Sequence, residues 1–153
     1  LLSGWKGHSD FIDPMCGSGT MLIEAAMIAC NIPPNLNRRQ FAFENWKDWD
    51  PDLFDIIEAG ALKKMTEFHF EITGYDKAPS AIEKAKENIK NAELSEFITV
   101  KHEDFFKTEK QKERHLQMVF NPPYGERLEV DIQSFYKNIG DIYAGSKKAK
   151  YQD

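Results

Sequence analysis

Apolar residues first gather at Phe11-Ile12-Asp13, a short strand signal closed by an acid. A turn rich in Pro and Gly follows, and from Met21 to Ala29 the chain is apolar almost all the way round. Strand, tight turn and buried helix are predicted there. The pattern then breaks into Pro33-Pro34, Arg38-Arg39 and the aromatic cluster Phe41, Phe43, Trp46 and Trp49, with a helical stretch from Pro51 to about Met65. Residues 31–65 are therefore expected to form an insertion packed on the domain between the first helix and the second strand. Phe68 to Asp76 alternates as a strand should, Pro79 suits the first turn of a helix, and Ile82, Ala85, Ile89 and Ala92 form that helix's buried stripe. Phe97 to Val100 predicts a third strand, Lys107 to Arg114 a charged loop, and Met118-Val119-Phe120 a fourth strand that stops at Asn121-Pro122-Pro123. Ile132, Phe135, Ile139 and Ile142 recur at helical spacing. Strands alternating with helices predict an α/β fold, a doubly wound parallel sheet covered on both faces.

Composition changes this picture only at the edges. A chain of 153 residues with 41% hydrophobic residues and 11 Phe suits one ordinary domain with a genuine core. No apolar run approaches the roughly 20 residues of a membrane span and no leader pattern opens the chain, so a cytoplasmic setting is the expectation. Cys16 and Cys30 lack the close-spaced partners of a metal site and read as reduced thiols, with no metal expected. The net charge of -5 is unfavourable for holding phosphates, so this stretch by itself is expected to bind RNA poorly. Arg38, Arg39, Lys147, Lys148 and Lys150 read as solvated surface. The apolar opening at Leu1-Leu2 and the polar close suggest that residues 1–153 are one piece of a longer protein.

The chemistry gathers at strand ends. Asp13-Pro14-Met15-Cys16-Gly17-Ser18-Gly19-Thr20 is a nucleotide-type turn, because its glycines let a backbone approach a ligand and a helix start offers N–H groups. Leu22 stands where a dinucleotide fingerprint wants a third glycine, and no Gly-Lys-Ser/Thr ending of a phosphate loop is present. Asp13 would repel phosphate but suits a cationic ligand. Asp76 ends the second strand and could accept both hydroxyls of a ribose; the alternative is a solvated strand-end acid. Asp104 could accept from an adenine amino group while Phe105 packs on the ring, or both could be plain surface and core. At Asn121-Pro122-Pro123-Tyr124 two prolines hold the backbone extended and leave carbonyls free. The Asn121 side chain and the Pro122 carbonyl could then grip the two hydrogens of an exocyclic amine, with Tyr124 stacked on its ring.

The pairing of DPMCGSGT with NPPYG resembles the amino-methyltransferases of the seven-stranded S-adenosylmethionine-dependent class. The longer stretches LSGWKGH, GTMLIEAAMIACNIPPN, FAFENWKDW and NPPYGERL are similar to the bacterial large-subunit ribosomal RNA guanine-N2 methyltransferases, members of which are often labelled predicted N6-adenine-specific DNA methylases. That resemblance implies a Rossmann-like class I sheet and S-adenosylmethionine as cofactor. It implies that Asp13 and Gly17 to Thr20 contact the cofactor, Asp76 its ribose and Asp104 its adenine, with Pro14, Cys16, Lys77, Phe105 and Asn121 completing the pocket. Asn121, Pro122, Pro123 and Tyr124 would hold the target base. It implies ribosomal RNA as partner through a flanking THUMP module, which this sequence lacks along with the last strands of the sheet and a helix before LSGW. Adenine-N6 methylation of DNA, methylation of a glutamine amide, and a non-catalytic nucleotide-binding module are the competing readings.

Overall fold

The computed structural model describes residues 3–36, 38–108, 115–121 and 132–144. Most of the expected charged loop, Pro122 to Tyr124, and Lys147, Lys148 and Lys150 lie outside these residues. The elements in chain order are β1 (Asp10–Asp13), α1 (Thr20–Ala29), a short 3-10 turn (Ala42–Asn45), α2 (Pro51–Leu62), β2 (Ile72–Asp76) and α3 (Pro79–Asn91). They continue with β3 (Ile98–His102), a second 3-10 turn (Phe105–Lys107), β4 (Leu116–Met118) and α4 (Ile132–Ala144).

The four strands form one parallel sheet in the order β3-β2-β1-β4. From β1 the chain moves outward through β2 to β3, then returns to place β4 on the other side of β1. Between β1 and β4 the connections therefore diverge, and in open parallel sheets ligands bind at such a switch point beyond the carboxyl ends of the strands. Helices α1 and α3 touch each other and cover one face, where Leu22, Ala26, Ile72, Ile82, Ala85 and Ile89 close the core. The packing there is tight enough that a Cβ on Gly74 would run into Leu22 and Cys16. Tyr75, one residue on, faces the opposite side. There a chain of edge-on rings runs from Tyr75 through Phe105 and Phe106 to Phe135 of α4, at 5.8, 6.2 and 5.5 Å. The sheet is thus wound on both faces, as the alternation of elements predicts.

Two strands differ in extent from the apolar pattern. β2 begins at Ile72 rather than Phe68, because Phe11 pairs with Ile72 and β1 extends only one residue further back, to Asp10, so no β1 residue lies opposite Phe68 to Phe70. Phe68 turns aside to pack edge-on against Trp5 at 6.1 Å. β4 lies earlier than Met118 to Phe120, since Asp10 meets Leu116; Val119 still donates its N–H to the Ile12 carbonyl at 3.0 Å. Residues between α1 and β2 leave and return at one place: Asn31 Nδ2 donates to the Lys64 carbonyl at 2.7 Å and the Thr66 N–H to the Cys30 carbonyl at 2.9 Å. In between, Phe41, Phe43, Trp49 and Phe54 pack on one another with centroids 4.9 to 5.8 Å apart, while α2 buries none of its residues. Cys16 and Cys30 are both buried free thiols, as the sequence predicts. No helix among the described residues is long and apolar enough to cross a membrane.

Candidate functional site

The glycine turn is built by its backbone. The Cys16 N–H donates to the Tyr75 carbonyl at 2.9 Å and the Gly19 N–H returns to the Cys16 carbonyl at 2.8 Å, so the turn is hung on β2 and closed on itself. Gly17 and Gly19 have φ of +53° and +82°, values that glycine adopts without cost. Gly19 also presses on α3, where an added Cβ would lie 3.2 Å from that of Ala85. At Gly17 an added Cβ would meet nothing within 4 Å, so this side of the turn is open to an approaching molecule. Gly19 starts α1 with no side-chain cap. The helix's first N–H groups are thereby left to a ligand or to water.

Asp76, at the end of β2, ties two loops together. Its Oδ2 accepts from the Gly17 N–H at 3.0 Å and its Oδ1 from the Ala78 N–H at 2.8 Å. Each carboxylate oxygen keeps a second lone pair for a ligand. Asp13, at the end of β1, is 1% exposed, and its Oδ1 accepts from the Met15 N–H at 3.0 Å. Burial pushes its carboxyl up from 3.8 to about 6; the Met15 N–H works against that rise and the charge of Asp76 adds to it. Burial and the neighbouring Asp76 thus make a charge on Asp13 costly, a cost that a cation beside the two acids would relieve. The Cys16 thiol is pushed up to about 12 by burial and then by the charges of Asp13 and Asp76. It is no nucleophile, and its side chain serves to pack against Gly74.

Further along the same rim, Asp104 accepts the Phe106 N–H on Oδ1 at 3.0 Å and so starts the second 3-10 turn. The Phe105 ring is only 5% exposed and is taken up by Tyr75 and Phe106. Lys77 is exposed beyond β2, and the His102 Nε2 sits 3.1 Å from its carbonyl. Pro14 is buried, whereas Ser18 and Thr20 are exposed with their hydroxyls 3.3 Å apart. Asn121 is exposed three residues past the end of β4, the strand that neighbours β1. The structure therefore gathers Asp13, the glycine turn, Asp76 and Asp104 along the carboxyl ends of β1, β2 and β3, and brings Asn121 to the same edge across the switch point. Pro122, Pro123 and Tyr124 lie outside the described residues.

Sequence reasoning missed Asn88. Its Nδ2 reaches from α3 to the Ser18 carbonyl at 3.0 Å across 70 residues. No sequence signal marks it, because an exposed polar residue beside the buried stripe, three positions after Ala85, reads as surface.

Residues 1–148 match the RMKL-like methyltransferase domain (UPF0020). The chain belongs to this family. Among curated relatives, the ribosomal RNA large subunit methyltransferase K/L of Vibrio parahaemolyticus is 37% identical over 97% of the chain, and that of Buchnera aphidicola from Schizaphis graminum 40% over 92%. Among solved structures, SMU.472, a candidate methyltransferase crystallised with SAH, superposes with a TM-score of 0.81 at 34% identity over 94% of the chain. A candidate methylase from Clostridium difficile 630 does so with 0.78 at 39% over 92%. The chain spans 21% of the length of these curated relatives and 38% of these solved chains.

Proposed function

We propose that this RMKL-like domain is the catalytic core of an S-adenosylmethionine-dependent methyltransferase acting on the exocyclic amine of a nucleic-acid base, guanine N2 of large-subunit ribosomal RNA. The observation that carries the reading is the row of Asp13, the glycine turn, Asp76 and Asp104 on three adjacent strand ends, with Asn121 beside it. The residues present fit that cofactor. The open side of Gly17 admits close approach, and the buried Asp13 beside Asp76 suits a ligand carrying sulfonium and ammonium charges. The SAH in the SMU.472 crystals and the ribosomal RNA in the names of the curated relatives favour the same assignment.

When bound, S-adenosylmethionine supplies an electrophilic methyl group on a charged sulfur. Asp76 would offer its remaining lone pairs to ribose hydroxyls, and Asp104 would accept from the adenine amino group. Pro14, Cys16, Lys77 and Phe105 would complete the pocket around the cofactor. Asn121 and the Pro122 carbonyl would hold the two hydrogens of the base amine and aim its lone pair, with Pro123 keeping the segment extended and Tyr124 stacking on the base. A conjugated amine held in this way needs no strong general base, and its proton leaves to water. RNA capture would fall to flanking parts of the parent protein, since the net charge of this chain is -5.

The test is methyl transfer by the full-length parent protein from labelled cofactor to RNA, DNA and protein fractions. Label is expected in large-subunit ribosomal RNA, at guanine N2. Asn121→Ala is expected to lower transfer at least about a hundredfold while SAH affinity stays within a few-fold of the parent. Full turnover in that variant, or label in another fraction, would overturn the reading.

A further inference from the structure

Resting on the cofactor reading above, we propose that Asn88 is a positioning residue for cofactor binding: its amide holds the Ser18–Gly19 peptide of the glycine turn in the orientation a ligand meets. Asn88 is exposed on α3, so it adds nothing to the core. Its Nδ2 donates to the Ser18 carbonyl at 3.0 Å, and among the described residues this is its one side-chain hydrogen bond. The N–H of the same peptide, on Gly19, donates to the Cys16 carbonyl at 2.8 Å. One peptide plane is thus held at both ends, on one side by its own turn and on the other by a helix 70 residues away.

The hold is needed because a glycine follows this peptide, and φ of Gly19 is one of the two torsions about which the plane turns. Gly17 and Gly19 occupy φ of +53° and +82°, and a glycine leaves such values as readily as it enters them. Rotation of the Ser18–Gly19 peptide about ψ of Ser18 and φ of Gly19 would swing the Ser18 carbonyl away from α3 and change the groups that the turn presents beside Gly17. Packing alone does not prevent this. Ala85 braces the Gly19 α-carbon position, but it does not touch the orientation of the carbonyl before it. Asn88 lies on the same helix three residues after Ala85, where its amide reaches that carbonyl.

A purely structural hydrogen bond would be lost equally from the free and the liganded protein, leaving affinity unchanged. A positioning bond behaves differently: without it the free turn samples several orientations, and the dissociation constant rises by the reciprocal of the competent fraction. Titration calorimetry of the full-length parent protein with S-adenosylhomocysteine, on parent, Asn88→Ala and Asn88→Asp, separates the two. Asn88→Ala is expected to raise Kd about fivefold, the scale of one net hydrogen bond. Asn88→Asp sets a carboxylate oxygen against the Ser18 carbonyl and should raise it further, with melting temperatures within about 2 °C of the parent in both cases. In the unliganded protein the Gly19 amide should exchange with solvent at least about tenfold faster in Asn88→Ala, while the Ile89 amide is unchanged. Parental Kd in both variants would overturn the inference and leave the proposed function standing. Weaker binding without faster Gly19 exchange would overturn the peptide mechanism. A parent protein that binds no S-adenosylhomocysteine would overturn the function itself and this inference with it.

Discussion

Helices α2 and α3 both open on a proline and run for 12 and 13 residues, yet α3 buries Ile82, Ala85 and Ile89 while α2 buries nothing. The more apolar of the two is α2: Leu53, Ile56 and Ile57 are 52%, 69% and 59% exposed. The difference lies in topology. α3 is the crossover between the paired parallel strands β2 and β3, and a crossover helix must lie on the sheet it spans. Between β1 and β2 that place is already taken by α1, which packs on both strands. α2 is surplus to that crossover and stands on local support: the Asp50 cap to the Leu53 N–H and the ring cluster around Phe54. A helix's burial is thus set by which strands flank it, more than by its own hydrophobicity.

The strongest way to break this comparison is to truncate one isoleucine in each helix. Ile89→Ala should cost about 2 to 5 kcal/mol, because it opens a cavity under α3, whereas Ile56→Ala should stay within about 0.5 kcal/mol. Urea unfolding measures both. Equal costs would mean that the α2 face is covered in the full-length protein, and the contrast would fall.

A middle-sized effect is expected where burial works against the fold. The carboxyl of Asp13 titrates higher in the folded protein than in the unfolded chain, so the folded state holds a proton more firmly. The penalty is absent below about pH 4 and fully present above about pH 6, which makes stability fall as pH rises through that window. Asn keeps the acceptor for the Met15 N–H and carries no charge. Asp13→Asn should therefore stabilise the protein by on the order of 2 kcal/mol at about pH 7.5 and hardly at all at about pH 4, while weakening SAH binding. Thermal melts at the two pH values check the first part; an equal gain at both would show that desolvation of the charge is not the cause.

The smallest effect sharpens the account of α2. Asp50→Ala removes its N-cap and should cost about 0.5 to 1 kcal/mol. Amide exchange should rise throughout α2 and leave α3 unchanged, since the two share no core. Faster exchange in α3 would show that the helices are coupled after all.

The parts legible in the sequence were those governed by local patterns. The β-α alternation, Pro79 at the head of α3, the stripe of Ile82, Ala85 and Ile89, and the glycine turn at the end of β1 all stand where the spacing placed them. Strand limits were less legible because they depend on partners: Phe68 to Phe70 has the alternation of a strand, but β1 is too short to pair with it. Least legible were the polar ties across the fold. Asp76 reads as a ligand residue, yet it also accepts from Gly17 across 59 residues, and Asn88 reads as ordinary surface. Neither tie leaves a periodic trace, because each is one contact between segments that only the folded sheet brings together.

The placement of β1 at the centre of the sheet also governs how the domain is born. Its first partner, Ile72, is made about sixty positions after Phe11, and the second, at Leu116, more than a hundred after Asp10. At roughly 5 to 20 residues per second, a nascent chain carries an unpaired Asp10–Asp13 segment for about 3 to 12 seconds before β2 exists to receive it. Through that interval the four residues that become the middle of the domain have no strand beside them. Translation speed across residues 31–65 thus sets much of the length of that interval.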